Sequence, residues 1–454
     1  GIVRNAGDGA TVEAEGGEES VEAFFRALGS ELPRGARLGP TEARDVTGAA
    51  EFVIAPSVER DETGVRLPPD LAPCAECLAE LFSPTERRFR HPFVSCTRCG
   101  PRWSIALAPP WDRDRTTMRP FAMCPACEAE YNDVADRRAH AQTLACPRCG
   151  PEVWLDDANG HHVATGEDAL REVTRALAQD KIIAIKGVGG WQLLAAATSE
   201  TAVARLRTRK GREAKPFAVL FKGLDQVGLY CAPGALDRLA LVSRAAPIVL
   251  VPAKGSLASS VAPGGRLVGA MLPGSALHAV VAEDFGSPLV CTSGNLADEP
   301  LCVTDDDARA RLAPIADLLL GHDRVIVRAL DDSVLRTSTG GAIVLRRARG
   351  MAPRTIARRE EGPVVLALGA HLKATVTLAL RDEYVVSQHV GDLVSPSAID
   401  RHAATAREML RWTRARPDVI VCDLHEGYAS TRLAESLAHE LGAPLVRVQR
   451  DFAR

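Results

Sequence analysis

Four Cys-x-x-Cys pairs follow one another between residues 74 and 149 and hold eight of the chain's twelve cysteines. The pairs form an internal repeat at an offset of 50, in which Arg87 and Arg88 recur as Arg137 and Arg138. One Cys-x-x-Cys turn places two thiolates on one side of a tetrahedral zinc ion, so two such turns complete a site of four cysteines. The sequence therefore predicts two structural zinc ions, with the ligands Cys74, Cys77, Cys96, Cys99, Cys124, Cys127, Cys146 and Cys149.

Other uses of these cysteines fit the sequence less well. A disulfide framework is disfavoured because no hydrophobic signal segment precedes the repeats and a chain of this size does not need cross-links. Redox Cys-x-x-Cys motifs do not come in matched quartets. Equal gaps of 18 residues inside each repeat favour a repeat that closes on itself. Pairing across the two repeats stays open as the alternative.

Composition limits the class of protein. A length of 454 residues suggests three or four domains, and 46% hydrophobic with 25% charged residues is ordinary for a globular protein. The formal net charge of −3 gives no overall electrostatic reason to bind nucleic acid or a membrane surface. No apolar stretch is long enough to span a bilayer, so we expect a cytoplasmic protein. Because the chain lacks a starting Met and stops directly after a strand-like run, we expect truncation at both ends.

Hydrophobic periodicity divides the chain into segments. The first alternates short strands with an amphipathic helix over 19–32, and the cysteine region follows it. An α/β pattern then begins with a helix over 168–179 and a buried strand over 182–185. Residues 354–362 look like a charged linker, after which a strand over 364–368 opens the last segment.

Three places in the third segment point to a polyphosphate ligand. A glycine-rich turn over 186–190 follows a predicted strand, which could aim backbone N–H groups at a phosphate, although a plain tight turn explains the glycines as well. The basic run over 205–215 could neutralise phosphates or form a solvated helix face. Hydroxyl and amide side chains follow the strand over 288–290, as in many α/β ligand pockets. The candidate residues are Lys186, Gly187, Gly189, Lys210, Arg212, Lys215, Thr292, Ser293 and Asn295.

These stretches together resemble the HypF-type carbamoyltransferases of NiFe-hydrogenase maturation. The resemblance rests on the cysteine repeat with Arg-Phe-Arg-His-Pro-Phe-Val-Ser-Cys over 88–96, on Lys-Gly-Val-Gly-Gly over 186–190 and on Thr-Ser-Gly-Asn over 292–295. It continues with Leu-Gly-Ala-His-Leu-Lys over 368–373 and Ser-Gln-His-Val-Gly-Asp-Leu over 387–393. The match is collinear over essentially the whole chain.

The resemblance implies a multidomain α/β and α+β fold. Its expected parts are a partial acylphosphatase-like α/β sandwich (1–62), a double zinc-finger region with four cysteines per finger (63–162), a YrdC-like α/β domain for ATP and carbamoyl adenylate (163–353) and the N-terminal part of an ASKHA-type transferase domain (363–454).

It also implies a reaction sequence. Carbamoyl phosphate is cleaved in the first domain, where Asn5 would position a water. The YrdC-like domain joins the carbamate to ATP, with Mg²⁺, and releases pyrophosphate. The last domain passes the carbamoyl group to the C-terminal cysteine of the partner protein HypE and releases AMP, with Lys373, His389, Asp392 and His425 lining its cleft.

The chain departs from the family pattern at several places. Gln192 stands where a His usually follows the glycines, and Ala196 stands where an Asp is expected. Residues 449–452 replace a His-rich metal motif, and the phosphate-binding loop of the first domain is expected upstream of Gly1. Two alternatives stay open: a YrdC-type threonylcarbamoyl-adenylate synthase for tRNA modification, and a zinc-dependent binding module of the DnaJ type.

Overall fold

The computed structural model describes residues 1–6, 9–30, 32, 38, 39, 41, 51–58, 68–296 and 299–449. Twenty strands within these ranges form sheets of three, eleven and six strands. The strands are β1 (Ile2–Ala6), β2 (Gly9–Glu13), β3 (Val53–Val58), β4 (Val153–Asp157), β5 (His162–Thr165), β6 (Ile183–Lys186), β7 (Trp191–Ala196), β8 (Ala218–Leu220), β9 (Ile248–Pro252), β10 (Leu267–Met271), β11 (Leu289–Ser293), β12 (Leu318–His322), β13 (Val334–Ser338), β14 (Gly341–Arg346), β15 (Thr355–Ala357), β16 (Val365–Ala367), β17 (Thr377–Ala379), β18 (Glu383–Val386), β19 (Val419–Asp423) and β20 (Leu445–Val448).

Helices cover the sheets and build the cysteine region. They are α1 (Glu18–Ser30), α2 (Ala75–Phe82), α3 (Pro125–Asn132), α4 (Gly166–Ala178), α5 (Glu200–Lys210), α6 (Leu224–Tyr230), α7 (Ala235–Leu241), α8 (Ala276–Phe285), α9 (Asp305–Leu312), α10 (Pro396–Thr413) and α11 (Ala429–Leu441), with 3-10 turns at Arg113–Arg115 and Ser259–Val261.

The N-terminal sheet has the order β2-β1-β3, in which β1 is antiparallel to β2 and parallel to β3. The helix predicted over 19–32 is present as α1. The strand expected at 51–54 is present as β3 but begins two residues later and continues to Val58. Residues 59–67, which include the expected end of the first domain at 62, lie outside the described part of the chain.

The cysteine region consists of two similar halves that pack beside the central sheet. Each Cys-x-x-Cys turn that opens a half leads into a short helix, α2 or α3, whose first turn holds the second cysteine. Arg90 fixes the first half to the sheet's helices, because its Nε donates to Glu167 of α4 at 2.9 Å and its terminal nitrogens donate to Asp284 of α8 at 2.7 Å.

The central sheet has eleven strands in the order β14-β13-β9-β10-β8-β11-β7-β6-β12-β4-β5. One face packs against α4, α8 and the first cysteine half, and the other packs against α5, α7 and α9. The helix and strand predicted over 168–179 and 182–185 are present as α4 and β6. Strands β4 and β5 lie within or across the end of the range expected for the zinc region, 63–162, yet they pair into this sheet.

The C-terminal sheet has the order β15-β18-β17-β16-β19-β20, with α10 and α11 packed on it. The strand predicted over 364–368 is present as β16. The prediction of a linker over 354–362 is wrong, because β15 lies inside it and pairs antiparallel with β18. Because charged residues flank this three-residue strand on both sides, its sequence does not show a recognisable strand pattern.

Candidate functional site

The eight repeat cysteines come together as two clusters, one in each half of the cysteine region. In the first cluster, Sγ–Sγ distances are 3.7 Å for Cys74–Cys96, 3.7 Å for Cys96–Cys99 and 3.5 Å for Cys77–Cys99. The equivalent distances in the second cluster are 3.8, 3.6 and 3.6 Å. A tetrahedron with Zn–S bonds of about 2.3 Å has S–S edges of about 3.8 Å. Both donor sets therefore fit a zinc ion, and each uses the cysteines of one repeat only.

A basic cluster of Lys210, Arg212 and Lys215 lies where α5 ends, against the C-terminal end of β11. Gly211 ends α5 in the left-handed conformation, with φ of 65°, and so turns the chain between the first two cations. Lys210 Nζ donates to Ser293 O at 2.6 Å and to Asn295 Oδ1 at 2.8 Å. Arg212 donates to Thr292 Oγ1 at 3.1 Å. The structure thus brings together six of the residues that the sequence nominated for a polyphosphate site.

This cluster carries positive charge in a desolvated place. Burial lowers the pKa of Lys210 to about 7, and burial lowers that of Arg212 to about 10. Burial, and then the charge of Arg212, also lowers the pKa of Lys215. Among the described residues, no carboxylate forms an ion pair with any of the three. An anion such as a polyphosphate would stabilise their positive charge, because an opposite charge favours the protonated forms.

The glycine-rich turn is shaped by close backbone contacts. A Cβ on Gly189 would lie 2.3 Å from Leu330 O, and one on Gly187 would lie 2.9 Å from Gln192 Oε1. Lys186 points elsewhere: its Nζ donates to His322 O at 2.8 Å and pairs with Asp305 at 2.6 Å. The structure therefore does not join Lys186 to the basic cluster, and it pairs this buried lysine with the half-buried carboxylate of Asp305 instead.

A cavity opens beside the glycine turn. It is lined by Val188, Gly189, Gly190, Gln192, Met271, Gly274, Ser275, His278, Leu301, Leu330, Asp331, Asp332 and Arg349. His278 is the clearest site residue that the sequence reasoning missed. Its Nδ1 lies 2.7 Å from Ser275 Oγ, while its buried Nε2 has no partner among the described residues. Burial lowers its pKa to about 4, so the ring is neutral at pH 7. No sequence signal marks a histidine on such an apolar helix.

Gln192, a departure from the family pattern, is fixed at the same cavity. Its Nε2 donates to Asp332 Oδ2 at 2.6 Å, and Asp332 is also paired with Arg349 at 2.7 Å. Gln192 thus provides a polar side chain at the cavity wall, and its amide donates to the carboxylate of a buried ion pair.

The residues nominated in the last segment form two groups. Asp392 Oδ1 accepts a hydrogen bond from the backbone N–H of Lys373 at 2.7 Å. The ring of His425 stacks on Tyr428 with 4.2 Å between centroids, and Tyr428 stacks on His371 at 5.1 Å. Leu393 N donates to His371 O at 2.9 Å, which links the stacked rings to the loop that holds Asp392.

His389 lies where the last segment meets the basic cluster. Its backbone N–H donates to Arg347 O at 2.7 Å across the segment boundary. Burial, and then the charge of Arg346, lowers its pKa. The charges that act on His389 include Asp331, Asp392 and Lys215, and those that act on Lys215 include Asp392. His389 and Asp392 of the last segment therefore lie near enough to Lys215 for their charges to interact.

Arg328 holds three segments together close to this boundary. Its guanidinium carbon lies 3.9 Å from the ring centroid of Trp103 and 4.9 Å from that of Trp412. It donates to Trp103 O at 2.7 Å and pairs with Glu408 of α10 at 2.8 Å. The cysteine region, the central sheet and the C-terminal sheet thus meet on one buried side chain.

Asn5, nominated as a water-positioning residue, contacts the cysteine region. Its Nδ2 donates to Trp111 O at 3.1 Å, which connects the N-terminal sheet to the cysteine region. Over the described residues, no helix has both the length and the apolar character needed to cross a bilayer.

Comparison with family profiles identifies the three segments that follow the N-terminal one. A HypF finger profile matches residues 74–106 and 123–155, and a HypF Kae1-like domain profile matches 360–454. A Sua5/YciO/YrdC profile, described as telomere recombination, matches 175–348. These matches confirm the predicted multidomain α/β class, with a zinc-finger region, a YrdC-like domain and a Kae1-like last domain.

Relatives match over the whole chain. The carbamoyltransferase HypF of Synechocystis is 43% identical over all of this chain and 59% of its own length, and that of Rhodobacter capsulatus is 40% identical over all of this chain and 61% of its own. The chain spans about three fifths of the length of the curated relatives it matches. A mouse threonylcarbamoyl-AMP synthase is 31% identical over only 29% of the chain and 48% of its own length.

Solved structures agree with the sequence matches. A full-length HypF crystallised with phosphate and nucleotide has a TM-score of 0.93 at 37% identity, covering 98% of this chain and 59% of that one. The Thermococcus kodakarensis HypF structure has a TM-score of 0.90 at 34% identity, covering 98% and 58%. On its domains, its sequence and its fold, the chain belongs to the HypF family.

Proposed function

We propose that this protein makes and transfers a carbamoyl group in NiFe-hydrogenase maturation. Water would first cleave carbamoyl phosphate to carbamate and phosphate. The carbamate oxygen would then attack the α-phosphorus of ATP, with Mg²⁺ on the phosphates, to give carbamoyl adenylate and pyrophosphate. The C-terminal cysteine thiol of HypE would finally attack the carbamoyl carbon, which releases AMP and leaves a thiocarbamate. The proposal places this work in the cytoplasm, where ATP is available.

The basic cluster is the observation that carries the proposal. Three cations without a described carboxylate partner lie at the end of a strand that presents the hydroxyls of Thr292 and Ser293. In a desolvated place such cations bind anions strongly, and they stabilise charge that develops on a departing pyrophosphate. A relative crystallised in a phosphate- and nucleotide-bound form supports nucleotide binding by this fold.

Different roles follow from the contacts. Lys210, Arg212 and Lys215 would hold phosphates, while Asn295, whose Oδ1 already orients Ser293 Oγ at 2.6 Å, would fix the strand end. Gly187 and Gly189 would let the turn approach the cavity closely. Lys186 would support the turn through Asp305 and would not touch phosphate. The proposed nucleotide-binding residues are therefore those expected from the sequence, without Lys186.

The second step would use the neighbouring Kae1-like residues. His389 and Asp392 interact electrostatically with Lys215 of the basic cluster, so the proposal gives an intermediate that hydrolyses in water a short path between the two steps. Lys373 and the stacked His425 would line the same cleft. Two zinc ions held by the eight repeat cysteines would be structural, because four thiolates at each leave no open position.

Exchange of labelled pyrophosphate into ATP, with carbamate supplied directly, tests the adenylation step without requiring HypE. We expect exchange in the wild-type chain and its loss in Lys210→Met. Lys222→Met is the matched control, because Lys222 belongs to the same domain but is exposed and paired with Glu283 at 3.1 Å. Equal exchange in all three proteins would remove the basic cluster from the reaction.

A threonylcarbamoyl-adenylate synthase is the second candidate, favoured by the partial similarity to the mouse enzyme. The same assay separates the two. If the exchange of pyrophosphate into ATP requires L-threonine with bicarbonate and does not occur with carbamate, the second proposal replaces the first. A zinc-dependent binding module of the DnaJ type predicts no exchange under either condition.

A further inference from the structure

The two cysteine clusters are connected by arginines that cross between the repeats. Arg87 of the first repeat donates to Cys127 Sγ of the second at 3.3 Å. Its counterpart fifty residues later, Arg137, donates back to Cys77 Sγ of the first repeat at 3.0 Å. The two sulfur acceptors are themselves equivalent positions of the repeat. Each cluster therefore receives a guanidinium from the opposite half and not from its own.

A second set of contacts also crosses from each repeat to the other. Arg88 donates to Ala145 O at 2.7 Å, and Arg138 donates to Ser95 O at 3.2 Å. Arg88 also pairs with Glu130, while Arg138 pairs with the equivalent residue, Glu80. Arg88, Arg138 and Glu80 are all at most 8% exposed. The buried surface between the halves is thus made of charged groups related by an approximate two-fold axis.

Glu80 joins the two clusters into one chain of contacts. It pairs with Arg88 at 3.3 Å, and Arg88 lies 3.6 Å from Cys127 Sγ. It also pairs with Arg137 at 2.5 Å, and Arg137 holds Cys77 Sγ. A continuous path of charge-assisted hydrogen bonds therefore runs from one sulfur cluster to the other.

We propose that the two zinc sites are mutually stabilising, each one held by arginines of the other repeat. This goes beyond the proposed carbamoyl transfer and rests only on zinc occupying the two cysteine clusters. A zinc ion with four thiolates carries two net negative charges, which a nearby guanidinium offsets in a buried place. Groups that hydrogen-bond metal ligands affect metal affinity by about 10–100-fold.

Reciprocity follows from the geometry. If the second site loses its ion, its sulfur atoms are no longer held in a fixed arrangement, and Cys127 no longer anchors Arg87 and Arg88. Arg88 then remains buried with fewer acceptors, and the shared Glu80 holds Arg137 less firmly against Cys77. Loss of one ion therefore loosens the contacts that hold the other.

Zinc release from the full chain tests the proposal independently of any catalytic activity. The loaded protein is challenged with a chromophoric chelator, and alkylated cysteines are mapped by mass spectrometry to show which cluster has opened. We expect Arg87→Gln to speed release from the cluster of Cys124 by about 10-fold or more, and Arg137→Gln to do so at the cluster of Cys74. Arg98→Gln is the control, because Arg98 lies next to a ligand but its side chain pairs with the exposed Glu76 at 2.5 Å.

The crossed pattern is the decisive result. In each variant the opposite repeat should open first, and its own repeat should follow because the two sites are coupled. A variant whose own repeat opens first, or one that releases zinc at the rates of Arg98→Gln, would overturn the proposal. Arg87→Lys and Arg137→Lys retain the charge, so they should fold and release zinc at rates between wild type and the Gln variants. As a direct measure of coupling, Cys146→Ser should speed release of the first ion several-fold, and an unchanged rate would contradict mutual stabilisation.

Discussion

Arg328 offers a direct measure of what holds the three segments together. Replacing it by Met retains apolar volume but removes the guanidinium that lies between Trp103 and Trp412. The carbonyls of Trp103 and Ala106, which it contacts at 2.7 and 2.5 Å, would lose a donor in a buried place. Glu408, only 20% exposed, would lose its closer partner.

The magnitude follows from these losses. Removing one member of a largely buried ion pair costs about 3–5 kcal/mol, because the remaining charge is left uncompensated. Arg411→Met is an unusually close control, since Arg411 pairs with the same carboxylate at 3.4 Å but is 67% exposed. Loss of such a surface pair costs about 1 kcal/mol or less. The two variants should therefore differ by roughly 2–4 kcal/mol.

Urea unfolding followed by tryptophan fluorescence reports on the junction, because two of the five tryptophans lie within it. A multidomain chain does not unfold in a single step, so hydrogen exchange of α10 should be measured beside it. We expect Arg328→Met to unfold at lower urea and to lose protection in α10, while Arg411→Met stays close to wild type. Similar losses in the two variants would refute the idea that this buried contact binds the segments.

Two further predictions concern the central domain. Burial lowers the pKa of Lys210 from 10.5 to about 7, so between these values the unfolded chain binds more protons and this group's contribution to stability rises with pH. A phosphate favours the ammonium form, so ATP binding near pH 8 should take up as much as about one proton, as measured by calorimetry in buffers of different ionisation enthalpy, and uptake that persists in Lys210→Arg would contradict this origin. Gly189→Ala should cost about 1–3 kcal/mol in urea unfolding, because its Cβ would lie 2.3 Å from Leu330 O, whereas Gly223→Ala, with no atom within 4 Å of its Cβ, should cost much less.

The sequence was most informative where chemistry requires residues at fixed spacing. Cysteine spacing indicated the eight ligands and favoured pairing within each repeat, because a Cys-x-x-Cys turn brings two thiolates to one side of a metal ion, and the structure confirms that pairing. The strand end at Thr292 and the basic residues at the end of α5 were nominated together from the sequence, and the structure brings them into contact. The crossed arginines could have been anticipated from the repeat, because Arg87 and Arg137 occupy equivalent positions.

What could not be predicted depends on contacts between distant residues. From the sequence, Lys186 resembled a phosphate ligand. The structure instead pairs it with Asp305, which is more than one hundred residues away in the chain. The three-residue strand β15 exists only because β18 pairs with it, and its flanking charges suggested a linker. The role of His278 in lining the cavity can be recognised only in the folded structure. Local pattern carries no information about such partners.

The position of β4 and β5 has a consequence for synthesis on the ribosome. This hairpin follows the cysteine region directly, but β4 joins the sheet only through β12, roughly 160 residues later in the chain. At about 5–20 residues per second, translation takes roughly 8–30 seconds to deliver that strand. During this interval the unpaired edge of β4 and its apolar side chains are available to other chains. A nascent molecule is therefore most prone to aggregation after its cysteine region has been synthesised. Holdase chaperones would be needed most at that stage.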